Sequence, residues 1–102
     1  MRASDLRDYG EVQQLSAGTW VDYAKGFFAV EVTGESEGKK TYTAMTRKTP
    51  ALTYIAGLHE LNEGYSILVN LDGEQHRLVI DSAIVAGRRR DEIHFQCREF
   101  ME

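Results

Sequence analysis

The strongest constraint on the fold of this 102-residue sequence is a strand–turn–strand pattern in its C-terminal half. Apolar residues alternate with other residues over 65–71, the dipeptide Asp72-Gly73 follows, and the alternation resumes through Leu78 and Ile80. Such alternation indicates a strand with one buried face. An Asp-Gly step between two such runs is the strongest short-range signal for a β-hairpin. The segment is therefore predicted to form a tight hairpin.

A third strand is predicted directly after this hairpin. Residues 87–91 are polar and contain a glycine, which is typical of a turn. Beyond them Ile93, Phe95 and Cys97 alternate with polar residues. The hairpin is thereby extended into a three-stranded antiparallel meander.

The N-terminal half carries weaker strand signals. A short strand is predicted around 11–15, and a longer one over 20–33, where aromatic and β-branched residues are concentrated. The longer strand is predicted to be broken or bulged near 25–26, where a glycine occurs. Residues 50–61 are predicted to form a strand rather than a helix, because a proline and two glycines bracket them.

Residues 34–49 lie between these strands and are predicted to form one long loop. They are polar, begin with a glycine and follow neither the helical nor the strand period. The segment leaves room for one helical turn around 40–47. A loop of this length in a small domain is usually functional or mobile.

These elements predict a mainly β fold in a single domain spanning residues 1–102. About five or six short strands with regular turn signals favour a small antiparallel β-barrel or sandwich, with one long internal loop and room for a short helix. The predicted core consists of the larger apolar residues on the inward faces of the strands: Trp20, Phe28, Val30, Ile67, Val69, Leu78, Ile80, Ile93, Phe95 and Cys97.

Composition excludes several classes of protein. The net charge is −4 and the pI is near 5.4, whereas broad binding to nucleic acid usually requires an excess of basic residues. Cys97 is the only cysteine, so neither an internal disulfide nor a Cys-rich zinc site can form. No apolar run approaches the roughly 20 residues that cross a bilayer. We therefore expect a soluble protein that is made in a cytoplasm.

No residue pattern indicates catalysis or metal binding. His59, His76 and His94 form no HxH or HxxxH pair. Cys97 lies on an apolar strand face and is expected to be a core residue rather than a nucleophile. The sequence has no phosphate-binding glycine loop and no GxSxG motif. No catalytic, cofactor or metal site is predicted, and the protein is predicted to be non-enzymatic.

Arg88-Arg89-Arg90 is the one pronounced cluster of charge. It is interpreted either as a solvated hairpin turn or as a contact with phosphate or with an acidic partner surface. Three arginines on one monomer would bind phosphate only weakly. In a ring of many copies the same turns would form a band of positive charge, which binds far better through multivalency.

Short motifs follow one another in a characteristic order and spacing through most of the chain. In the N-terminal half they are Met1-Arg2-Ala3 with Leu6-Arg7, Gly18-Thr19-Trp20-Val21-Asp22, Phe28-Ala29-Val30-Glu31 and Gly34-Glu35. In the C-terminal half they are Tyr54 with Gly57-Leu58, the strand from His76 to Ala83, the turn Gly87-Arg88-Arg89-Arg90, and the strand from Ile93 to Glu99. Together they resemble the head–tail joining family of tailed phages and prophages, whose members are also called head-closure or stopper proteins.

Two positions depart from the pattern of that family. The N-terminal strand of the family usually reads Arg-x-Val-x-Ile, whereas residues 8–12 of this chain read Asp-Tyr-Gly-Glu-Val. The arginine that usually precedes the aromatic residue at Tyr54 is replaced by Thr53. The resemblance is strongest in the C-terminal strands.

The resemblance implies a β-barrel-like core with a flexible loop, and a structural role without catalysis or cofactors. Such proteins assemble as rings below the portal and adaptor of a filled capsid, help to retain packaged DNA, and present the surface on which the tail docks. The expected partners are further copies of the chain, portal or adaptor proteins, tail proteins and the DNA in the channel, with no membrane. The expected location is the virion neck, after synthesis in the host cytoplasm.

Two groups of basic residues are candidates for contacts in such a ring. On the predicted loop, the candidates for facing DNA or a partner are Lys39, Lys40, Arg47 and Lys48. On the predicted turn, the candidates for a contact between proteins are Arg88, Arg89 and Arg90.

Three alternatives remain open from the sequence. The first is a tail-side terminator or tail-attachment protein on the same kind of small β fold. The second is a small β-barrel module that binds nucleic acid, against which the acidic net charge argues. The third is a small enzyme, which a deep pocket lined with perturbed titratable groups would reveal.

Overall fold

The chain folds into six antiparallel strands and one short helix in the computed structural model, which describes residues 6–36, 38–58, 61, 64–71, 73–87 and 89–100. In chain order the elements are β1 (Asp8–Ser16), β2 (Thr19–Ser36), β3 (Lys39–Arg47), α1 (Pro50–Ala56), β4 (Tyr65–Leu71), β5 (Glu74–Ala86) and β6 (Glu92–Glu99). The strands close into a barrel in the order β1-β2-β3-β6-β5-β4. The predicted mainly β fold is confirmed.

The C-terminal meander is also confirmed. β4 pairs with β5 from Ser66↔Val79 to Leu71↔Glu74, and β5 pairs with β6. Gly73 in the β4–β5 turn has φ +85°, a left-handed conformation that favours glycine. Its neighbour Asp72 lies outside the described residues.

The long loop predicted at 34–49 is wrong, and so is the helical turn at 40–47. β2 continues to Ser36, and β3 begins at Lys39 after a tight turn in which Gly38 has φ +79°. Within β3 the buried Tyr42 and Ala44 alternate with half-buried threonines. The threonines and lysines give this segment a polar sequence, which does not predict a strand. Pairing with β2 on one edge and β6 on the other stabilises it as a strand.

The strand predicted at 50–61 is wrong as well, because α1 occupies Pro50–Ala56. The Thr49 side chain caps the helix by accepting a hydrogen bond from the backbone N–H of Leu52 at 3.2 Å. Pro50 occupies the first helical position, where its missing N–H costs nothing. Leu52 and Ile55, one turn apart, are buried against the open end of the barrel.

The bulge predicted near 25–26 lies at Tyr23. The register passes from Val12↔Ala24 to Gln13↔Asp22, which leaves Tyr23 as the extra residue in β2. The Tyr23 hydroxyl donates a hydrogen bond of 2.7 Å to the backbone oxygen of Ala51 in α1. The bulge therefore turns a side chain of the barrel wall toward the helix.

Most of the predicted core residues are buried as expected. Trp20 and Val30 are half-buried, whereas the others are at most 3% exposed: Phe28, Ile67, Val69, Leu78, Ile80, Ile93, Phe95 and Cys97. The core also takes in residues that the prediction omitted, among them Tyr42, Leu52, Ile55 and Tyr65.

Trp20 is part of a polar network on the outside of the barrel rather than of the core. The guanidinium carbon of Arg77 lies 4.8 Å from the centroid of the Trp20 ring. Arg77 also donates hydrogen bonds of 2.8 Å to Gln13 Oε1 and to Ser66 Oγ. Gln13 Nε2 in turn donates to Asp22 at 2.9 Å. The network thus links β2, β1, β4 and β5.

Strand direction divides the barrel into two ends. The helix pole carries the β1–β2 turn, α1 and the β5–β6 turn at 87–91. The hairpin pole is the opposite end and carries the β2–β3 turn and the β4–β5 turn.

Truncation of the central aromatic residue tests the assignment of the core. Phe95 is fully buried, so Phe95→Ala should lower the free energy of unfolding by about 3–5 kcal/mol. Val21 is 42% exposed, and Val21→Ala should change it by no more than about 0.5 kcal/mol. Urea denaturation followed by circular dichroism measures both, and equal losses for the two variants would contradict this core.

Removal of the Arg77 guanidinium tests the external network. Arg77→Met leaves the buried Gln13 and Ser66 without this donor, which should cost about 2 kcal/mol of stability. Trp20 is the only tryptophan, so its fluorescence spectrum should change in the folded state. The control Arg89→Met alters an exposed arginine and should leave both quantities unchanged. An unchanged spectrum for Arg77→Met would show that the stacking does not persist in solution.

Candidate functional site

Two basic segments that are distant in sequence meet at the helix pole. β3 ends there at Arg47, and β6 begins beside it, with Arg47 opposite Glu92 in the register. The backbone N–H of Lys48 donates a hydrogen bond of 2.8 Å to the backbone oxygen of Asp91. The connection after β3 is therefore fixed against the β5–β6 turn. Four exposed cations result, which we call the basic cluster: Arg47, Lys48, Arg89 and Arg90.

The backbone of the β5–β6 turn, which carries Arg89 and Arg90, has a defined conformation. Gly87 has φ +93° and Arg90 has φ +54°, and the Arg90 N–H donates to the Gly87 oxygen at 3.1 Å. A left-handed arginine is uncommon and is stabilised here by the closed turn. Arg88, the remaining residue of the predicted interface turn, lies outside the described residues.

The other two predicted basic residues lie at the opposite end of the barrel. Lys39 and Lys40 open β3 at the hairpin pole, whereas Arg47 closes the same nine-residue strand. At about 3.3 Å per residue, the two ends of β3 are roughly 25 Å apart. The four residues assigned to a single loop therefore form two separate pairs at the two ends of β3.

A cavity of about 390 Å³ opens beside the basic cluster, between β2, the end of β3 and the start of α1. Core side chains such as Phe28 and Leu52 form its floor, and Lys25 and Arg47 lie at its lining. The Thr46 hydroxyl donates a hydrogen bond of 2.7 Å to the Phe27 backbone oxygen and holds β3 to β2 at this point. Lys25 lies opposite Glu11 in the register of β1 and β2, so its charge is partly balanced there.

The titratable groups of the described residues offer little reactive chemistry. Burial, and then the charge of Asp81, raise the pKa of the Cys97 thiol well above its usual value, which keeps it protonated and unreactive. Burial, followed by the charge of Glu99, likewise raises the pKa of the Tyr42 phenol. His94 Nε2 lies 3.1 Å from Glu92 Oε1 on the same strand. An ordinary strand-surface pair accounts for that contact.

The described residues were also compared with the requirements of a metal site and of a membrane-spanning helix. Within the part of the chain that the structure describes, His, Cys, Asp and Glu form no group of three that could hold a metal ion. His59 lies outside that part. The helix in the described ranges is too short to cross a membrane.

Large apolar side chains are exposed on several sides of the barrel. Tyr9 and Phe27 form an edge-to-face pair with ring centroids 5.6 Å apart, although they are 44% and 55% exposed. Val32, near the hairpin pole, and Ile84, near the helix pole, are 58% and 55% exposed. Apolar residues that are exposed singly on different faces are common on protein surfaces and do not by themselves mark a binding site.

Comparison of the chain with models of protein families, with curated proteins and with solved structures finds no match. A proposal for the function therefore depends on the sequence and the geometry of the chain itself. That geometry places the basic cluster at the helix pole and leaves several large apolar side chains exposed.

The reactivity of the single thiol tests the chemistry assigned to this barrel. Because Cys97 is buried and the pKa of its thiol is raised, a thiol reagent should not label the native protein, even at pH 9. An ordinary thiol, with a pKa of about 8.5, would be largely ionised at that pH. The exposed control Val21→Cys should be labelled readily, and denatured wild type should be labelled once. Labelling of native Cys97 at the rate of the control would contradict the assignment.

Proposed function

We propose that this chain is a structural, non-catalytic head-closure protein of the virion neck. In this role copies of the chain assemble as a ring below the portal or adaptor, help to retain the packaged DNA, and provide the surface on which the tail docks. The observation that carries the proposal is the basic cluster, which joins two distant basic segments at one pole of a barrel with a net charge of −4.

The concentration of positive charge at one pole supports a DNA-facing surface in a ring. One copy with four clustered cations neutralises few phosphates and binds DNA weakly. Copies with their helix poles turned to a common channel would multiply those contacts at high local concentration. The acidic remainder of the surface would then be left to face proteins.

Two further observations support a ring. The order and spacing of the sequence motifs, especially the strand from Ile93 to Glu99, resemble head–tail joining proteins. The exposed Val32 and Ile84 lie toward opposite poles. A ring of identical subunits needs two different contact surfaces on each copy, because its contacts are heterologous.

Binding to capsids tests the proposed function directly. The purified protein should co-sediment with DNA-filled, tailless capsids of the phage that encodes it, and should protect the genome in those capsids from nuclease. Binding to tail tubes instead would identify a tail-side neck protein on the same fold. Binding to neither, together with salt-dependent binding of oligonucleotides by the monomer, would identify a nucleic-acid-binding module.

Neutralising the two ends of β3 separately tests which pole faces DNA. Arg47→Gln with Lys48→Gln should lower the fraction of nuclease-resistant heads several-fold, because it halves the basic cluster. Lys39→Gln with Lys40→Gln removes the same charge at the hairpin pole and should leave that fraction nearly unchanged. If heads remain sealed with the first variant and leak with the second, the hairpin pole faces the DNA instead.

A further inference from the structure

The cavity of about 390 Å³ beside the end of β3 combines an apolar interior with a charged mouth. Val12, Phe28 and Leu52 bound its interior, and each is at most 5% exposed. Among the described residues that line the cavity, Lys25 and Arg47 are charged and none is acidic. Apolar pockets of about 300–1,000 Å³ with a few polar groups are the usual form of a site for a small molecule.

Gly26 keeps the cavity open on the side of β2. Its partner in β1 is Gly10, and directly opposed residues of an antiparallel pair point to the same face of the sheet. A Cβ atom at Gly10 would lie 2.9 Å from a ring carbon of Phe28, whereas a Cβ atom at Gly26 would meet no atom within 4 Å. Packing therefore requires a glycine at position 10 but not at position 26, where the missing side chain adds to the volume of the cavity.

The mouth of the cavity carries an aromatic ring and two cations. Phe27 belongs to the lining although it is 55% exposed. Lys25 lies opposite Glu11 in β1 and Arg47 lies opposite Glu92 in β6, so a carboxylate partly balances each cation. Within the described part of the chain, however, neither cation forms an ion pair. Both side chains therefore remain available to an anion at the mouth.

We infer that this cavity binds a small anionic amphiphile, that is, an apolar body that bears one anionic group. The apolar body occupies the space beside Gly26 and Phe28, and the anionic group lies at the mouth near Lys25 and Arg47. Burial of the apolar body supplies most of the affinity, because ion pairs with exposed cations contribute little. The site needs neither a ring nor DNA, so it is independent of the proposed function.

A series of fatty acids tests the apolar interior. Hexanoate, octanoate and decanoate, titrated by calorimetry into the full-length wild-type protein, should each bind at one site per chain. The affinity should rise by up to about fourfold with each added CH₂ group, because each group leaves water for the interior. Absence of saturable binding of decanoate, or an affinity that is independent of chain length, would overturn the inference.

A side chain placed inside the cavity tests the location of the site. Gly26→Leu should occupy the interior and lower the affinity for decanoate at least about tenfold. Val21→Leu, on the exposed part of the same strand, introduces the same side chain and should leave the affinity unchanged. Circular dichroism verifies that both variants fold. Undiminished binding by folded Gly26→Leu would place the ligand elsewhere and contradict the inference.

Amide chemical shifts of the wild-type protein locate the ligand without any substitution. Addition of decanoate should shift the amide signals of residues 25–28 and 46–47, which line the cavity. The signals around Gly73, at the hairpin pole, should stay in place. Shifts that spare the cavity would refute the site even if Gly26→Leu failed to fold.

The charge of the head group tests the mouth of the cavity. Decanoate should bind more tightly than decanol, and decylammonium should bind most weakly. Arg47→Gln should lower the affinity for decanoate by up to about fivefold and leave that for decanol unchanged. Arg89→Gln makes the same change at an exposed arginine outside the lining and should alter neither affinity. Equal affinities for the three head groups would overturn the assignment of an anionic ligand.

Discussion

The barrel depends on the pairing of β1 with β4, because these strands are far apart in sequence and their five paired positions close the sheet on itself. Closure brings the walls so near at Gly10 that a Cβ atom there would lie 2.9 Å from a ring carbon of Phe28. Glycine at this position lets the Phe28 ring enter the core, where it packs against Phe95 with ring centroids 6.3 Å apart. The glycine in the segment 8–12 therefore meets a packing requirement of this barrel.

Because the barrel is closed, the long strands β2 and β5 each pair with one neighbour along their first half and with another along their second half. β2 pairs with β1 through its first half and with β3 through its second, and β5 is divided in the same way between β4 and β6. β2 carries bulges at Tyr23 and Thr33, and β5 carries one at Asp81, where the strands bend. The same division leaves one edge of each strand without a strand partner in the described residues.

The sequence predicted those elements whose signals are local. The meander of β4, β5 and β6 is predictable because large apolar residues alternate around clear turns. β3 is not, because its inward positions include the small Ala44 and two of its outward positions are the threonines Thr41 and Thr43. Thr49 and Pro50 are typical of the start of a helix, but the flanking glycines favoured the prediction of a strand. For the candidate site, the sequence predicted the residues but not their proximity. Arg47 and Arg90 were each named, but their proximity depends on the pairing of β3 with β6, which no local pattern shows.

In the proposed ring, the balance of charge would connect assembly with binding to DNA. The chain has a net charge of −4, so DNA repels a single copy as a whole, and the basic cluster at the helix pole and the pair Lys39 and Lys40 at the hairpin pole are local exceptions. A single copy would therefore gain little from DNA, whereas a ring with aligned helix poles would present many basic clusters to DNA and its acidic surfaces elsewhere. Under the proposed function, affinity for DNA would thus be a property that the chain acquires by assembling.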